Sequence, residues 1–132
     1  MIRNIEFPEV EKVSVAIVPG ETETDVWSVY IINENDFELK NILVNSKGYG
    51  EKDGSAVKTS TLKHFFEIIA PNTAMKIESI QPEVFGLTNE FWVSFYAQNK
   101  LFDKKYVFTS GAIDSAHLTD VPLIKERGIL HP

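Results

Sequence analysis

Phe91-Trp92-Val93-Ser94-Phe95-Tyr96 carries two sets of side chains in alternation. At a two-residue period, Phe91, Val93 and Phe95 fall on one face of a strand and Trp92, Ser94 and Tyr96 on the other. The first set requires a core. The second is also too apolar for open water, so another element, a partner subunit or a ligand has to cover it. The pair Phe65-Phe66 poses the same requirement. A helix is not indicated, because no segment of the chain keeps apolar residues at i, i+3, i+4, i+7 over three turns.

Outward from this strand, short apolar runs recur between turn residues. Val13-Ser14-Val15-Ala16-Ile17-Val18 ends at Pro19-Gly20, and residues 21–25 form an acidic, Thr-rich loop. Val26-Trp27-Ser28-Val29-Tyr30-Ile31-Ile32 has the β-branched and aromatic content of a buried strand and stops at Asn33-Glu34-Asn35-Asp36. Residues 39–44 resume, with Ile42 and Val44 on one face and Leu39 and Leu43 on the other. Residues 62–70, the group Met75, Ile77 and Ile80, and residues 101–108 complete the series, with Gln98-Asn99-Lys100 as a tight connection. This makes about seven strands joined by short links, which predicts an all-β, antiparallel, two-sheet sandwich of immunoglobulin-like type. A small β-barrel is the alternative. Residues 60–69 and 118–126 are the best helical candidates, the first weakened by its β-branched content and the second by Pro122.

The chain of 132 residues reads as one domain. Apolar residues make up 43% and charged residues 24%, the balance of a folded protein. Residues 114–132 read as a C-terminal tail whose Val121, Leu123, Ile124, Ile129 and Leu130 must dock on the body or on a partner. The formal charge of −6 opposes duplex nucleic acid and anionic membranes. The absence of cysteine removes disulfides, thiolate zinc sites, iron–sulfur clusters and cysteine nucleophiles. Residues 1–8 contain no apolar core of the kind a secretory leader needs, and no apolar run approaches the ~20 residues of a membrane span. A cytoplasmic location is the expectation.

Motifs of known chemistry are incomplete. In Ser46-Lys47-Gly48-Tyr49-Gly50-Glu51-Lys52-Asp53-Gly54-Ser55 the glycines match neither GxxxxGK[ST] nor GxGxxG, which leaves residues 46–60 as a long inter-strand loop able to carry binding residues. His64 lies between Lys63 and Phe65 in a strand, far in sequence from His117 and His131, and no HExxH occurs. Asn33-Glu34-Asn35-Asp36 with Glu38 resembles half of a calcium loop but lacks its glycine and its final glutamate. No GxSxG elbow is present. Asp103-Lys104-Lys105 reads either as charges protecting an edge strand or as a basic contact for an anion, joined by Lys47, Lys58 or Lys63.

Trp27-Ser28-Val29-Tyr30-Ile31-Ile32-Asn33, Ser46-Lys47-Gly48-Tyr49-Gly50, Lys58-Thr59-Ser60, Phe91-Trp92-Val93-Ser94-Phe95 and Phe102-Asp103-Lys104-Lys105 together resemble a family of small uncharacterised proteins of Bacteroidetes-type bacteria. Some members carry a phenylalanyl-tRNA synthetase α-subunit label. That resemblance implies at most an RNA-associated accessory role, since a class II synthetase core is far longer and needs arginine motifs, whereas this chain has only Arg3 and Arg127.

The sequence therefore points to a non-enzymatic protein-binding or self-assembly module, with a homo-oligomer or a protein as partner. No cofactor, metal or catalytic residue is assigned. A small-molecule or anion binder, with catalysis conceivable, built on residues 46–60, His64 and Asp103 is the second reading. RNA association is the third. The residues singled out for binding are Tyr49, Lys58, His64, Trp92, Tyr96, Asp103 and Lys104.

Overall fold

The computed structural model describes residues 8–22 and 25–132. The N-terminal reading over 1–7, and Glu23 and Thr24 of the acidic loop, lie outside the described residues. Among these residues ten strands form: β1 (Val13–Val18), β2 (Trp27–Asn33), β3 (Leu39–Lys52), β4 (Ser55–Lys58), β5 (Leu62–Ile69), β6 (Thr73–Ile80), β7 (Thr88–Ala97), β8 (Lys100–Phe108), β9 (Thr119–Val121) and β10 (Glu126–His131). Two single-turn 3-10 segments, Pro82–Val84 and Ser115–His117, are the helical structure among the described residues.

The strands make two antiparallel sheets packed on one another as a β-sandwich. The first has the order β6-β2-β1-β10-β9. The second is built on the long strand β3, which pairs along one edge with β7, itself followed by β8. The other edge of β3 is shared, with β5 along its first half and β4 along its second. The sheets remain separate, so the barrel alternative is not the fold.

Between the sheets lie Val15, Ile17, Val29 and Ile31 from the first, and Leu39, Ile42, Val44, Phe91, Val93 and Phe95 from the second, all buried. Tyr106 of β8 is fully buried among them and donates its hydroxyl to the Val13 carbonyl at 2.6 Å, a polar tie between the sheets. Burial raises its phenol far above the ordinary 10.0. A smaller apolar cluster of Ala16, Val18, Ile32 and Val121 lies on the outward side of the first sheet. Its presence explains why all six residues of β1 are buried.

Four readings of the sequence are corrected by this arrangement. Residues 46–60 are not a loop. The chain runs on as β3 to Lys52, turns at Asp53-Gly54 and returns as β4, with Lys52 opposite Ser55. Asp53 and Gly54 have φ of 53° and 79°, the left-handed pair that a two-residue hairpin of type I′ needs. Gln98 and Asn99 do the same between β7 and β8, at 49° and 64°. Residues 60–69 and 118–126, the best helical candidates, supply β5, β9 and the start of β10, as the all-β reading requires. Residues 114–132 are more than a docked tail, since β10 sits inside the first sheet between β1 and β9. With β4, β9 and β10 added, the strand count exceeds the seven expected. Finally, Leu39 points inward with Ile42 and Val44 while Leu43 points out. Asn41, at φ 49°, coincides with a register shift against β7 and changes the phase of the strand.

Asn33 and Asn35, read as calcium-type ligands or turn residues, are buried as an amide brace. Asn33 donates to the carbonyls of Phe37 and Ala70 at 3.0 and 3.1 Å, and its own carbonyl accepts from the backbone and side chain of Asn35. Asn35 also donates to the Glu11 carbonyl.

Candidate functional site

The outer face of the second sheet follows directly from its register. Leu43 lies between Phe65 on β5 and Ser94 on β7, and Ser94 lies opposite Asp103 on β8. The row toward one end reads Ile68, Lys40, Tyr96, Leu101. The row toward the other reads Lys63, Asn45, Trp92, Lys105, with Lys47 and Glu90, then Lys58 and Tyr49, beyond it. Leu43, Phe65, Ile68, Trp92, Tyr96 and Leu101 are between 37% and 59% exposed. Apolar residues face outward here because the strands are amphiphilic on neither side. Val44, Val93 and Phe95 fill the core while Leu43, Trp92 and Tyr96 occupy the positions that usually carry polar groups.

A large apolar side chain contributes on the order of 150–250 Å² when fully exposed if aromatic, and less if aliphatic. At the observed exposures the six residues present about 500 Å² of side-chain surface. That equals the largest patches found on monomeric proteins, roughly 300–600 Å², which are often functional. Residues 114–132 do not cover it, because β9 and β10 belong to the first sheet.

The polar members of the face are fixed. Asp103 Oδ1 accepts from Trp92 Nε1 at 2.7 Å and from Ser94 Oγ at 2.6 Å, which locks the indole against β8. Lys105 Nζ stands 4.6 Å from the centre of the Trp92 ring, a cation–π contact. Glu90, almost wholly covered, has Lys47 at 3.9 Å and Lys105 at 4.0 Å and accepts from the Tyr49 hydroxyl at 3.2 Å. Desolvation, with the hydrogen bond to Glu90 and that group's negative charge, raises the Tyr49 phenol above its ordinary 10.0. Lys47, Lys58, Lys63 and Lys105 thus meet on one face of an otherwise acidic molecule.

Of the residues singled out from sequence, Tyr49, Lys58, Trp92, Tyr96 and Asp103 share this face. His64 and Lys104 do not. Lys104 lies opposite the buried Val93, and its ammonium donates to the Pro132 carbonyl at 2.8 Å and sits 4.8 Å from the Tyr106 ring. His64 lies opposite the buried Val44 and reaches Glu78 of β6 at 2.9 Å, on the inter-sheet side. The constellation of His64 with Asp103 is therefore not assembled, since the two lie on opposite faces of one sheet. Asp103-Lys104-Lys105 occupies an edge strand, as its protective reading requires.

Glu90 and Glu78 were not legible as site residues. Glu90 sits in a polar triplet before the aromatic run and reveals itself only through the register that brings Lys47 and Lys105 beside it. Glu78 left one trace, the spacing of three between Ile77 and Ile80 where a regular strand would show two.

Comparison of the chain with protein-family models, with curated proteins and with solved structures gave no match.

Proposed function

We propose that this protein is an assembly module that associates with a second copy of itself through the outer face of the β5-β3-β7-β8 sheet. The observation that carries this reading is the group of exposed apolar side chains Leu43, Phe65, Ile68, Trp92, Tyr96 and Leu101 on one sheet face, left open by the rest of the described chain. Two further points favour a second copy. Its apolar area of about 500 Å², extended by the lysines and Asn45 around it, approaches the ~800 Å² per partner of a standard interface. The face is also suited to two-fold symmetry. Trp92 and Tyr96 lie two residues to either side of Ser94, so a two-fold axis across the strands at the Leu43 row would lay Trp92 on Tyr96 of the other copy. Lys63 and Lys105 would then cover Ile68 and Leu101 instead of one another, and of the charged residues in these three rows only Asp103, held by Trp92 and Ser94, would meet its own copy. We read the scaffold as an immunoglobulin-type plan, β6-β2-β1 against β4-β3-β7-β8, extended by β9 and β10.

Sedimentation equilibrium between about 1 and 100 µM tests the reading. A mass approaching twice 14.9 kDa is expected within that range. A strict monomer throughout overturns it.

The convergence of Lys47, Lys58, Lys63 and Lys105 beside Trp92 and Tyr49 favours one alternative occupant, a single-stranded nucleic acid stacked on the aromatics. Its test is anisotropy of a labelled oligouridylate at low salt, where binding must weaken with salt by a log–log slope of about −0.7 per phosphate contact. Absence of such binding removes this alternative.

A further inference from the structure

Glu78 faces inward only because its strand is bulged. Tyr30 lies opposite Lys76 and Val29 opposite Glu78, so Ile77 is an extra residue between the two pairs. In an unbroken alternation Glu78 would share the outward face of Lys76. The bulge instead brings its carboxylate to the side of the fully buried Val29. Bulges recur beside functional sites because they re-aim a side chain in this way.

The Glu78 side chain is 10% exposed. One oxygen, Oε1, accepts from Ser46 Oγ at 2.6 Å and meets His64 Nε2 at 2.9 Å. Among the described residues no lysine or arginine pairs with it. The carboxylate borders a cleft of about 230 Å³ between the sheets, walled by Leu62, Ile80, Val84 and Phe91. Lys47 also lines the cleft, but its ammonium is drawn to Glu90. A carboxylate withdrawn from water beside an apolar wall is unfavourable unless a cation or several donors offset it. Here a hydroxyl and an imidazole offset it in part, and the carboxylate lines the cleft.

We propose that this cleft binds a small organic cation, with an ammonium group seated on Glu78 and an apolar body against Phe91, Leu62 and Ile80. Its size sets the ligand class. An apolar cavity of roughly 150 Å³ holds benzene, so this cleft takes a single ring with a short ammonium arm, below the ~300 Å³ at which drug-sized pockets begin. An anion of the same shape is rejected by charge. The site opens on the other side of β3 from the assembly surface, with Lys47 bordering both.

Titration of the ¹⁵N-labelled protein with phenethylammonium, followed by amide shifts, provides the test, with 3-phenylpropionate as the counterpart of opposite charge. Saturable shifts centred on Ser46, Leu62, Glu78 and Phe91 are expected, with 3-phenylpropionate weaker by about tenfold or more. Glu78→Gln should raise the phenethylammonium Kd by a similar factor. Leu62→Trp, at a half-exposed position that keeps the carboxylate, should do so by filling the cleft. Equal affinity for the two ligands, unchanged affinity in the folded Leu62→Trp protein, shifts centred elsewhere, or no saturation by about 10 mM overturns the proposal.

Discussion

Replacing Phe65 by threonine should separate assembly from folding. The ring is 59% exposed and stands opposite Leu43 on the outer face. A phenylalanine presents roughly 200 Å², so about 120 Å² of this one is open to water. At ~25 cal/mol/Å² covering it is worth about 3 kcal/mol per copy, and a two-fold interface contains it twice. Association returns only part of such a sum, because ordering and desolvation oppose it. Half of the total, about 3 kcal/mol, corresponds to two orders of magnitude in dimer Kd. The folded subunit loses much less. Threonine retains β propensity, and the cross-strand pair with Leu43 contributes about 0.5 kcal/mol. With an unfolding entropy of about 2.1 cal/mol/K per residue, that lowers Tm by about 2 °C. Sedimentation equilibrium paired with thermal unfolding measures both quantities. A Phe65→Thr protein that dimerises as tightly as the parent refutes the assembly surface. One that loses about 10 °C or more in Tm shows Phe65 to be part of the core.

Asn33→Ala removes both donations to the Phe37 and Ala70 carbonyls and the acceptor for Asn35, all in a buried setting; a loss of about 3 kcal/mol, or roughly 11 °C in Tm, is expected by calorimetry. Tyr106→Phe leaves the ring in place but deprives the Val13 carbonyl of its hydroxyl donor, and should lower Tm by about 4–7 °C with an unchanged near-ultraviolet signature from the other aromatics. Ser14→Ala acts in the opposite direction. The Ser14 hydroxyl is buried without a hydrogen-bond partner among the described residues, so its removal should stabilise by about 0.5–1 kcal/mol in urea titration at constant m.

The elements that could be read directly are those whose residues alone determine their burial. Val13–Val18 and Trp27–Asn33 are rich in β-branched residues, as suits strands that lie deep in a sheet. The facing of Phe91, Val93 and Phe95 against Trp92 and Tyr96 was also legible, because β7 keeps its two-residue period without interruption. What escaped the reading depends on partners distant in sequence. The β3–β4 hairpin carries its turn dipeptide, Asp53-Gly54, in plain view, but Glu51, Lys52, Ser55 and Ala56 around it are exposed and give no apolar period. β9 has three residues and forms only because β10 lies beside it. The inward turn of Glu78 and the phase change at Asn41 are both departures from alternation, and a strict period-two reading necessarily places such residues on the wrong face. Of the candidate site, the residues of the outer face were found from their chemistry, whereas the separation of His64 from Asp103 required the pairing of β5 with β3 and of β8 with β7.

The pairing of β1 with β10 has a kinetic consequence. Ile17 meets Ile129 and Val15 meets His131 across more than a hundred intervening residues, so this seam closes late, after the shorter-range hairpins. Until it does, Val13–Val18 offers a bare row of amides and carbonyls on a segment with no charge and no proline, the profile of a fibril-forming hexapeptide. Refolding yield should therefore fall steeply as protein concentration rises, and a synthetic peptide spanning β10, added at the start, should rescue it by occupying that edge first.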